Sequence, residues 1–166
     1  LGHVRYERRG PIGYITLARP EKLNALNEDM SFALREAVDL IDLDDEAQIG
    51  IIAGEGRAFC AGADVTQHMR SEAERAKSRL GSPRQDLFYN SNNWKPIIAA
   101  THGYAVGAGL GLAIRSDFLV AGADTVFQVV EIPRGISGSG LWAVLAFRGL
   151  GSFADEVRSE EHTSEL

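Results

Sequence analysis

Two short loops rich in glycine and alanine are the segments of this sequence best suited to chemistry. They are residues 61–64 (Ala-Gly-Ala-Asp) and residues 103–109 (Gly-Tyr-Ala-Val-Gly-Ala-Gly), and each follows an apolar run. Small residues leave the backbone N–H groups open to a ligand, and the first N–H groups of a helix have no acceptor within it. Two such groups from separate loops could stabilise one oxyanion. The alternative is that both loops are tight turns packed through small residues.

Other kinds of site are less compatible with the sequence. No Gly-Lys-Ser/Thr follows either loop, which excludes a phosphate-binding P-loop. The four histidines and the single cysteine are dispersed, so we expect no metal site. Cys60 is interpreted as a small buried residue and His102 as a packed, hydrogen-bonded histidine.

The elements that must position the loops are indicated by apolar periodicity. Alternating residues on both sides of Gly10-Pro11 predict a hairpin. Asn27 suits a helix N-cap, and one apolar stripe follows it at helical spacing. The stripe consists of Met30, Ala33, Leu34, Ala37, Val38 and Ile41. A helix is therefore the firmest local prediction.

Further strands and helices alternate along the chain. Residues 49–53, 94–100, 118–121 and 126–129 are predicted strands, and a small-residue helix is predicted to open at Gly107. We expect the polar segment of residues 65–85 to form a mobile helix or flap. Strands alternating with helices predict an α/β fold with a parallel sheet built from crossover units.

Composition limits the class of protein. The 166 residues suit one domain, which we place at residues 1–157, with a probable unrelated or disordered tail at residues 158–166. A net charge of −6 argues against nonspecific nucleic-acid binding. One cysteine excludes an internal disulfide framework.

The sequence shows no targeting signal. Residues 96–114 carry no formal charge, but a strand, turn and helix explain them better than a membrane span. The first residues lack the apolar core of a signal peptide. They also lack an initiator methionine, so we expect the chain to be cut at its front. The location is expected to be cytoplasmic.

Three segments together carry a family resemblance. They are residues 16–26 (Thr-Leu-Ala-Arg-Pro-Glu-Lys-Leu-Asn-Ala-Leu), residues 56–64 (Gly-Arg-Ala-Phe-Cys-Ala-Gly-Ala-Asp), and residues 95–100 running into residues 103–109. In this order and spacing they resemble the crotonase superfamily, the enoyl-CoA hydratase/isomerase family. The resemblance covers roughly residues 4–148.

The resemblance implies an architecture, a substrate and an assembly. It implies a crotonase-like spiral of strand–strand–helix units, incomplete here because the C-terminal helical region is lacking. It implies an acyl-CoA thioester as substrate, with coenzyme A as part of the substrate and no separate cofactor. It also implies homotrimers, often paired into hexamers.

The resemblance also assigns roles by motif. The backbone N–H groups of Ala63 and Ala108 are implied as oxyanion donors, and Glu131 is implied as the catalytic carboxylate. A carboxylate that follows an apolar strand can lie in a dry pocket suited to proton transfer. Implied contacts to substrate or CoA come from Lys22, Leu23, Ala25, Ala61, Gly62, Asp64, Gly107 and Gly109, with Lys22 suited to a phosphate.

One position departs from the family pattern. Hydratases of the family resemble one another in having a second glutamate one helical turn after the residue that Ala108 matches, where this chain has Gly111. Concerted two-glutamate hydration is therefore disfavoured, and isomerisation or other single-base chemistry on an enoyl-CoA is favoured. The alternative is an inactive fragment, or a non-catalytic interaction remnant of such an enzyme.

Overall fold

The computed structural model describes residues 2–66, 93–131 and 144. The chain begins with an antiparallel hairpin of β1 (Val4–Arg9) and β2 (Ile12–Leu17), in which Val4 pairs with Leu17. Alternate residues of β2 are buried, as the sequence alternation requires. The predicted hairpin is confirmed.

The predicted helix is α1 (Glu28–Leu43). Its first turn is capped as expected, because Asn27 Oδ1 accepts a hydrogen bond from the Met30 N–H at 2.8 Å. Val38 of the predicted stripe is partly buried against the core. The other five residues of the stripe are buried: Met30, Ala33, Leu34, Ala37 and Ile41. The stripe packs against the hairpin and belongs to the hydrophobic core.

Three parallel strands extend the hairpin into a five-stranded sheet. They are β3 (Ile49–Gly54), a strand at Ile97–Thr101, and a strand at Phe118–Ala121. Two short strands, β4 (Ala58–Cys60) and β6 (Tyr104–Val106), precede them in turn along the chain, so the latter two are β5 and β7. The order across the sheet is β1-β2-β3-β5-β7.

A second, smaller sheet lies beside the first. It contains β4, β6 (Tyr104–Val106) and β8 (Val126–Gln128), all parallel and in the order β4-β6-β8. Each strand of the large sheet from β3 onward is followed in the chain by a strand of the small one: β3 by β4, β5 by β6, and β7 by β8. The helix α2 (Ala108–Arg115) follows β6 and completes a strand–strand–helix unit.

The step from one sheet to the other uses close backbone approach at Gly103. This residue has φ +55°, and a Cβ atom placed on it would lie well under 3.0 Å from the Arg57 carbonyl oxygen. Only glycine therefore allows the turn after β5 to lie against the turn before β4. Nearby, the Phe59 N–H donates to the His102 carbonyl oxygen at 2.9 Å.

The sequence predictions for the strands differ from the structure in detail. β5 begins at Ile97 and not at residue 94, because the Trp94 side chain is exposed and Pro96 has no N–H for the ladder. The loop of residues 19–26 contains a short 3-10 helix, Pro20–Lys22. β4 and β6, each three residues long, were expected to be loop.

Some predictions lie outside the described residues. These are the flap beyond residue 66, the turn at residues 134–140, and the proposed end of the domain at residue 157 with its tail at residues 158–166. Within the described part of the chain, no helix is long and apolar enough to cross a membrane.

Candidate functional site

The candidate site lies at one edge of the three-stranded sheet. Ala63 follows the end of β4 by three residues, Ala108 follows the end of β6 by two, and Glu131 follows the end of β8 by three. The strands are parallel and adjacent, so their carboxyl ends lie at the same edge. The fold thus brings the three residues implied as catalytic to one side of one sheet, with Ala108 between the other two.

The loop after β4 contacts the start of α2. A Cβ atom placed on Gly62 would lie 2.8 Å from the Val106 carbonyl oxygen and 3.5 Å from the Ala108 nitrogen. Gly62 has φ +96°, a conformation that L side chains rarely adopt. The Ala63 nitrogen is only three bonds from that Cβ position, so the two backbone amides implied as donors come from neighbouring turns.

Glu131 lies on the other side of the α2 start. A Cβ atom placed on Gly107, the N-cap of α2, would lie 3.4 Å from Glu131 Oε1 and 3.1 Å from Val130 Cγ2. The other carboxylate oxygen, Oε2, accepts a hydrogen bond from the Val130 N–H at 2.9 Å. Gly107 itself donates to the Gln128 carbonyl oxygen at 2.9 Å, which ties α2 to the end of β8. The Glu131 side chain is half-buried.

Hydrogen bonds on either side of Ala63 determine the direction of its N–H group. The Leu26 N–H donates to the Gly62 carbonyl oxygen at 2.7 Å, and the Asp64 N–H donates to the Leu26 carbonyl oxygen at 2.8 Å. In such a parallel bridge the residue between the two partners turns its own N–H to the opposite side. Within residues 2–66 and 93–131, neither the Ala63 nor the Ala108 N–H donates to a protein acceptor. Ala63 is exposed and Ala108 half-buried, so both amides are near the surface of the site.

The loop of residues 19–26 is fixed against the site by one buried amide. Asn24 is fully buried, and its Nδ2 donates to the carbonyl oxygens of Glu55 at 2.9 Å and Ala58 at 2.8 Å. Its Oδ1 accepts from the Arg19 N–H at 2.9 Å. Both N–H groups and the oxygen of this buried amide thus have partners, as a buried polar group requires. The two N–H groups join the loop to the segment at the start of β4.

An ion pair joins the same loop to the residue after Ala63. Arg19 Nη1 donates to Asp64 Oδ2 at 2.6 Å and to the Ala25 carbonyl oxygen at 3.1 Å. Asp64 Oδ1 accepts from the N–H and the hydroxyl of Thr66, at 3.0 and 2.6 Å. The hydrogen bond from the Thr66 hydroxyl and the one from Arg19 lower the pKa of Asp64 to about 2, so this carboxylate is ionised near neutral pH.

Four of the residues implied to bind CoA lie in or beside the loop of residues 19–26. Leu23 and Ala25 run alongside the loop of residues 61–64, since the Ala61 N–H donates to the Leu23 carbonyl oxygen at 2.9 Å. Lys22 is exposed on the 3-10 helix, where its ammonium is accessible. Contact of these four residues with CoA stays a prediction.

The remaining implied contacts are buried within the protein. Gly62, Asp64, Gly107 and Gly109 are all buried. Asp64 is held by Arg19 and Thr66, and a Cβ atom on Gly109 would lie well under 3.0 Å from the Cys60 carbonyl oxygen. Packing accounts for Gly109 without a ligand, and the carboxylate of Asp64 faces protein groups.

Two residues that we interpreted as structural are packed as expected. Cys60 is fully buried, and burial raises the pKa of its thiol to about 12, which is the opposite of an activated nucleophile. His102 Nε2 lies 2.9 Å from the Gly56 carbonyl oxygen. Over the described ranges, no three His, Cys, Asp or Glu side chains are grouped so that they could hold a metal ion.

Sequence reasoning missed Arg19 and Asn24 as residues that shape the site. Both lie in the resembling segment, whose loop from Arg19 to Ala25 is implied to line the CoA channel, but neither was named as a site residue. The signal available in the sequence was an asparagine within a loop, because asparagine is among the few residues that readily adopt the left-handed conformation. The structure gives Asn24 that conformation, with φ +55°. The partner of Arg19 is 45 residues away, which local patterns do not reveal.

Comparison with known proteins gives relatives that are named as CoA hydratases and, in one case, as a CoA hydrolase. The chain is 38% identical over 136 residues to a probable mitochondrial enoyl-CoA hydratase of Dictyostelium discoideum, covering 81% of this chain and 48% of the relative. It is 36% identical over 139 residues to the mitochondrial 3-hydroxyisobutyryl-CoA hydrolase of Homo sapiens, covering 80% of this chain and 36% of the relative. The chain thus spans about half or less of the length of these relatives.

Solved structures agree with the sequence relatives. The crystal structure of enoyl-CoA hydratase from Mycobacterium tuberculosis H37Rv superposes with a TM-score of 0.81 at 34% identity, covering 93% of this chain and 60% of that one. A probable enoyl-CoA hydratase/isomerase from Mycobacterium abscessus gives 0.80 at 33% identity, covering 95% and 60%. The crotonase-like fold expected from the resemblance is confirmed, in partial form.

A family model locates the match within the chain. The model described as enoyl-CoA hydratase/isomerase matches residues 12–138, which include β2 to β8 and all three residues at the edge of the small sheet. This chain belongs to the enoyl-CoA hydratase/isomerase family.

Proposed function

We propose that this chain carries the oxyanion-stabilising site of an enzyme that acts on an acyl-CoA thioester. The observation that carries the proposal is the arrangement at the small sheet: Ala63, Ala108 and Glu131 each follow the end of one of three adjacent parallel strands by two or three residues. The N–H groups of the first two would bind the thioester carbonyl oxygen. Glu131, across Gly107 from them, would move the proton.

The chemistry follows from where charge develops. Removal of a proton next to a thioester carbonyl, or addition of a nucleophile to the conjugated double bond, places negative charge on the carbonyl oxygen. Two fixed N–H donors stabilise that charge in the transition state more than they stabilise the neutral carbonyl. Ala108 is the first residue of α2, so the positive end of the helix dipole adds to the effect.

Single-base chemistry suits the site better than two-glutamate hydration. Gly111 lies in α2 three residues after Ala108 and has no side chain to hold a water or move a proton. One carboxylate can still remove a proton from one carbon of an enoyl-CoA and return it to another. We therefore propose double-bond isomerisation or a related single-base reaction. Glu introduced at Gly111 would raise hydratase relative to isomerase activity.

The sharpest test of the oxyanion donors removes one N–H group. Ala108→Pro deletes the donor at the first position of a helix, where proline is tolerated because that N–H is not used within the helix. Turnover should fall about 10²- to 10³-fold, the usual effect of losing one oxyanion donor. Glu28→Pro makes the same change at the first position of α1 and is the matched control.

The test of the base uses a neutral isostere. Glu131→Gln should lower turnover about 10²- to 10⁴-fold, whereas Glu36→Gln on the exposed face of α1 should leave it unchanged. Crotonyl-CoA and a 3-enoyl-CoA are assayed side by side, so that hydration and isomerisation are measured separately. Equal turnover by Glu131→Gln and the unaltered chain would show that another group moves the proton.

A second candidate is an interaction remnant without catalysis. It is favoured by exposed apolar side chains on the edge strands β7 and β8, among them Phe118, Val120 and Phe127. Absence of turnover together with a stable complex of defined stoichiometry would favour this candidate. For the active protein, the family resemblance supports a homotrimer or hexamer, and we propose a cytoplasmic location as the sequence-based expectation.

A further inference from the structure

The Arg19–Asp64 ion pair lies directly behind the proposed oxyanion donor. Asp64 is the residue after Ala63, and Arg19 comes from the loop that runs beside it. Only 13% of the Arg19 side chain and 6% of the Asp64 side chain are exposed. Arg19 Nε also lies 3.8 Å from the exposed Glu21 carboxylate. Loss of either partner of the Arg19–Asp64 pair would still leave a largely buried charge without its nearest counter-charge, which is unfavourable.

Both oxygens of the Asp64 carboxylate are engaged on the protein side. Oδ2 accepts from Arg19, and Oδ1 accepts from the N–H and the hydroxyl of Thr66. The same residue donates its backbone N–H to Leu26. Asp64 therefore joins the segment after Ala63 to the loop of residues 19–26 through both its backbone and its side chain.

The ion pair supports the backbone bridge that determines the direction of the Ala63 N–H. The bridge of Leu26 to Gly62 and Asp64 determines that direction, and Arg19 also holds the Ala25 carbonyl oxygen just before Leu26. Arg19 thus links both sides of the bridge. A donor that is already fixed needs no reorganisation when charge develops on the substrate, and charge-assisted hydrogen bonds are the strongest available to fix it.

We propose that the Arg19–Asp64 pair is a positioning device that holds the Ala63 N–H in the direction required for oxyanion stabilisation. Asp64 is then a positioning residue and not a contact to CoA, although the sequence resemblance implied such a contact. This inference rests on the proposed function, since it gives the pair a purpose only if Ala63 is an oxyanion donor.

The first part of the test needs no substrate. Asp64→Asn keeps the size of the side chain and removes its charge, and Arg19→Gln removes the other charge. Amide hydrogen exchange at Leu26 and Asp64 should become about 10- to 100-fold faster in either variant, with little change at amides of β3. Glu7→Gln, which removes the exposed Glu7–Arg9 pair, should change neither set.

The second part uses butyryl-CoA, a saturated thioester, and turnover. In the unaltered chain the amide resonance of Ala63 should shift on addition of butyryl-CoA. In Asp64→Asn that shift should be smaller and kcat should fall about tenfold, with KM changed less than twofold. The double variant should be little worse than either single one, because both remove the same interaction.

The outcomes separate the two hypotheses. Unchanged exchange at Leu26 and Asp64 in both variants would overturn the positioning role. A raised KM at constant kcat would also overturn it, because Asp64 would then contact the substrate. No shift at Ala63 in the unaltered chain would refute the proposed donor, and the inference would fall with it, even if exchange at Leu26 still responded to loss of the pair.

Discussion

The two loops that supply the proposed donors are held in place by different forces. The loop of residues 61–64 lies close to the Val106 carbonyl oxygen at Gly62, and it is held in addition by polar contacts: two backbone hydrogen bonds to Leu26 and the Arg19–Asp64 ion pair. The segment of residues 103–109 is held by close backbone approach. Cβ atoms on Gly103 and Gly109 would each lie well under 3.0 Å from a carbonyl oxygen, of Arg57 and Cys60 respectively.

The difference predicts different responses to substitution. Polar contacts can be weakened one at a time, so the loop of residues 61–64 should lose order in steps and depend on charge. Close backbone approach cannot be weakened in steps. Any side chain at Gly103 or Gly109 collides with backbone that cannot move aside. Gly103 and Gly109 should therefore tolerate almost no change of residue type.

Gly103→Ala should have the largest effect on stability. The new Cβ would collide with the Arg57 carbonyl oxygen, and alanine at φ +55° is itself unfavourable. We expect the free energy of unfolding to fall by about 3–5 kcal/mol. Urea titration followed by circular dichroism measures the loss.

Gly10→Ala is the matched control for this prediction. Gly10 has φ +58°, nearly the same as Gly103, but nothing lies within 4 Å of its Cβ position. Its substitution should cost about 1 kcal/mol, from backbone strain alone. Equal losses for the two variants would show that conformation and not close approach makes glycine necessary at Gly103.

The sequence predicts the parts of this fold whose signals are local. The helix α1 could be predicted because an apolar stripe and a capping asparagine lie within one short stretch of chain. β4 and β6 could not, because three residues are too few to show alternation and their pairing partners are far away in sequence. The three-stranded sheet, and with it the common edge for the site, therefore appears only in the structure.

The site likewise combines features that the sequence predicts with features that depend on distant parts of the chain. Ala63, Ala108 and Glu131 could be named from motif resemblance, but their placement at the ends of adjacent strands depends on sheet order. Asp64 was implied as a ligand contact by the family resemblance. Its partner Arg19 lies 45 residues away, so the ion pair that explains it could not be predicted from spacing.

Asn24→Ala tests the polar side of the comparison. Removal of the side-chain amide leaves three backbone groups without their partner: the carbonyl oxygens of Glu55 and Ala58 and the N–H of Arg19. We expect a loss of about 2–3 kcal/mol in the free energy of unfolding, part of it from alanine at φ +55°, measured by urea titration. Asn27→Ala, which removes only the α1 cap, should cost about 1 kcal/mol. A smaller loss at Asn24 than at Asn27 would contradict the view that this amide holds the loop.

The smallest expected effect is a loss of folding stability at low pH. The pKa of Asp64 falls from 3.8 to about 2 on folding, chiefly through hydrogen bonds from Thr66 and Arg19. A lowered folded pKa adds stability above the unfolded value, and this contribution is lost as the pH falls from about 4 through about 2. Thermal unfolding of the chain and of Asp64→Asn is compared across this range.

The comparison of the two variants isolates Asp64 from other acids. Glu7 and Glu55 also have lowered pKa values, through Arg9 and Arg5, and both are retained in Asp64→Asn. The difference in stability between the two chains should therefore shrink steadily from pH 4 to pH 2. A difference that stays constant would mean that the charge of Asp64 contributes nothing to holding its loop. The polar and the close-packed segments would then differ in geometry alone.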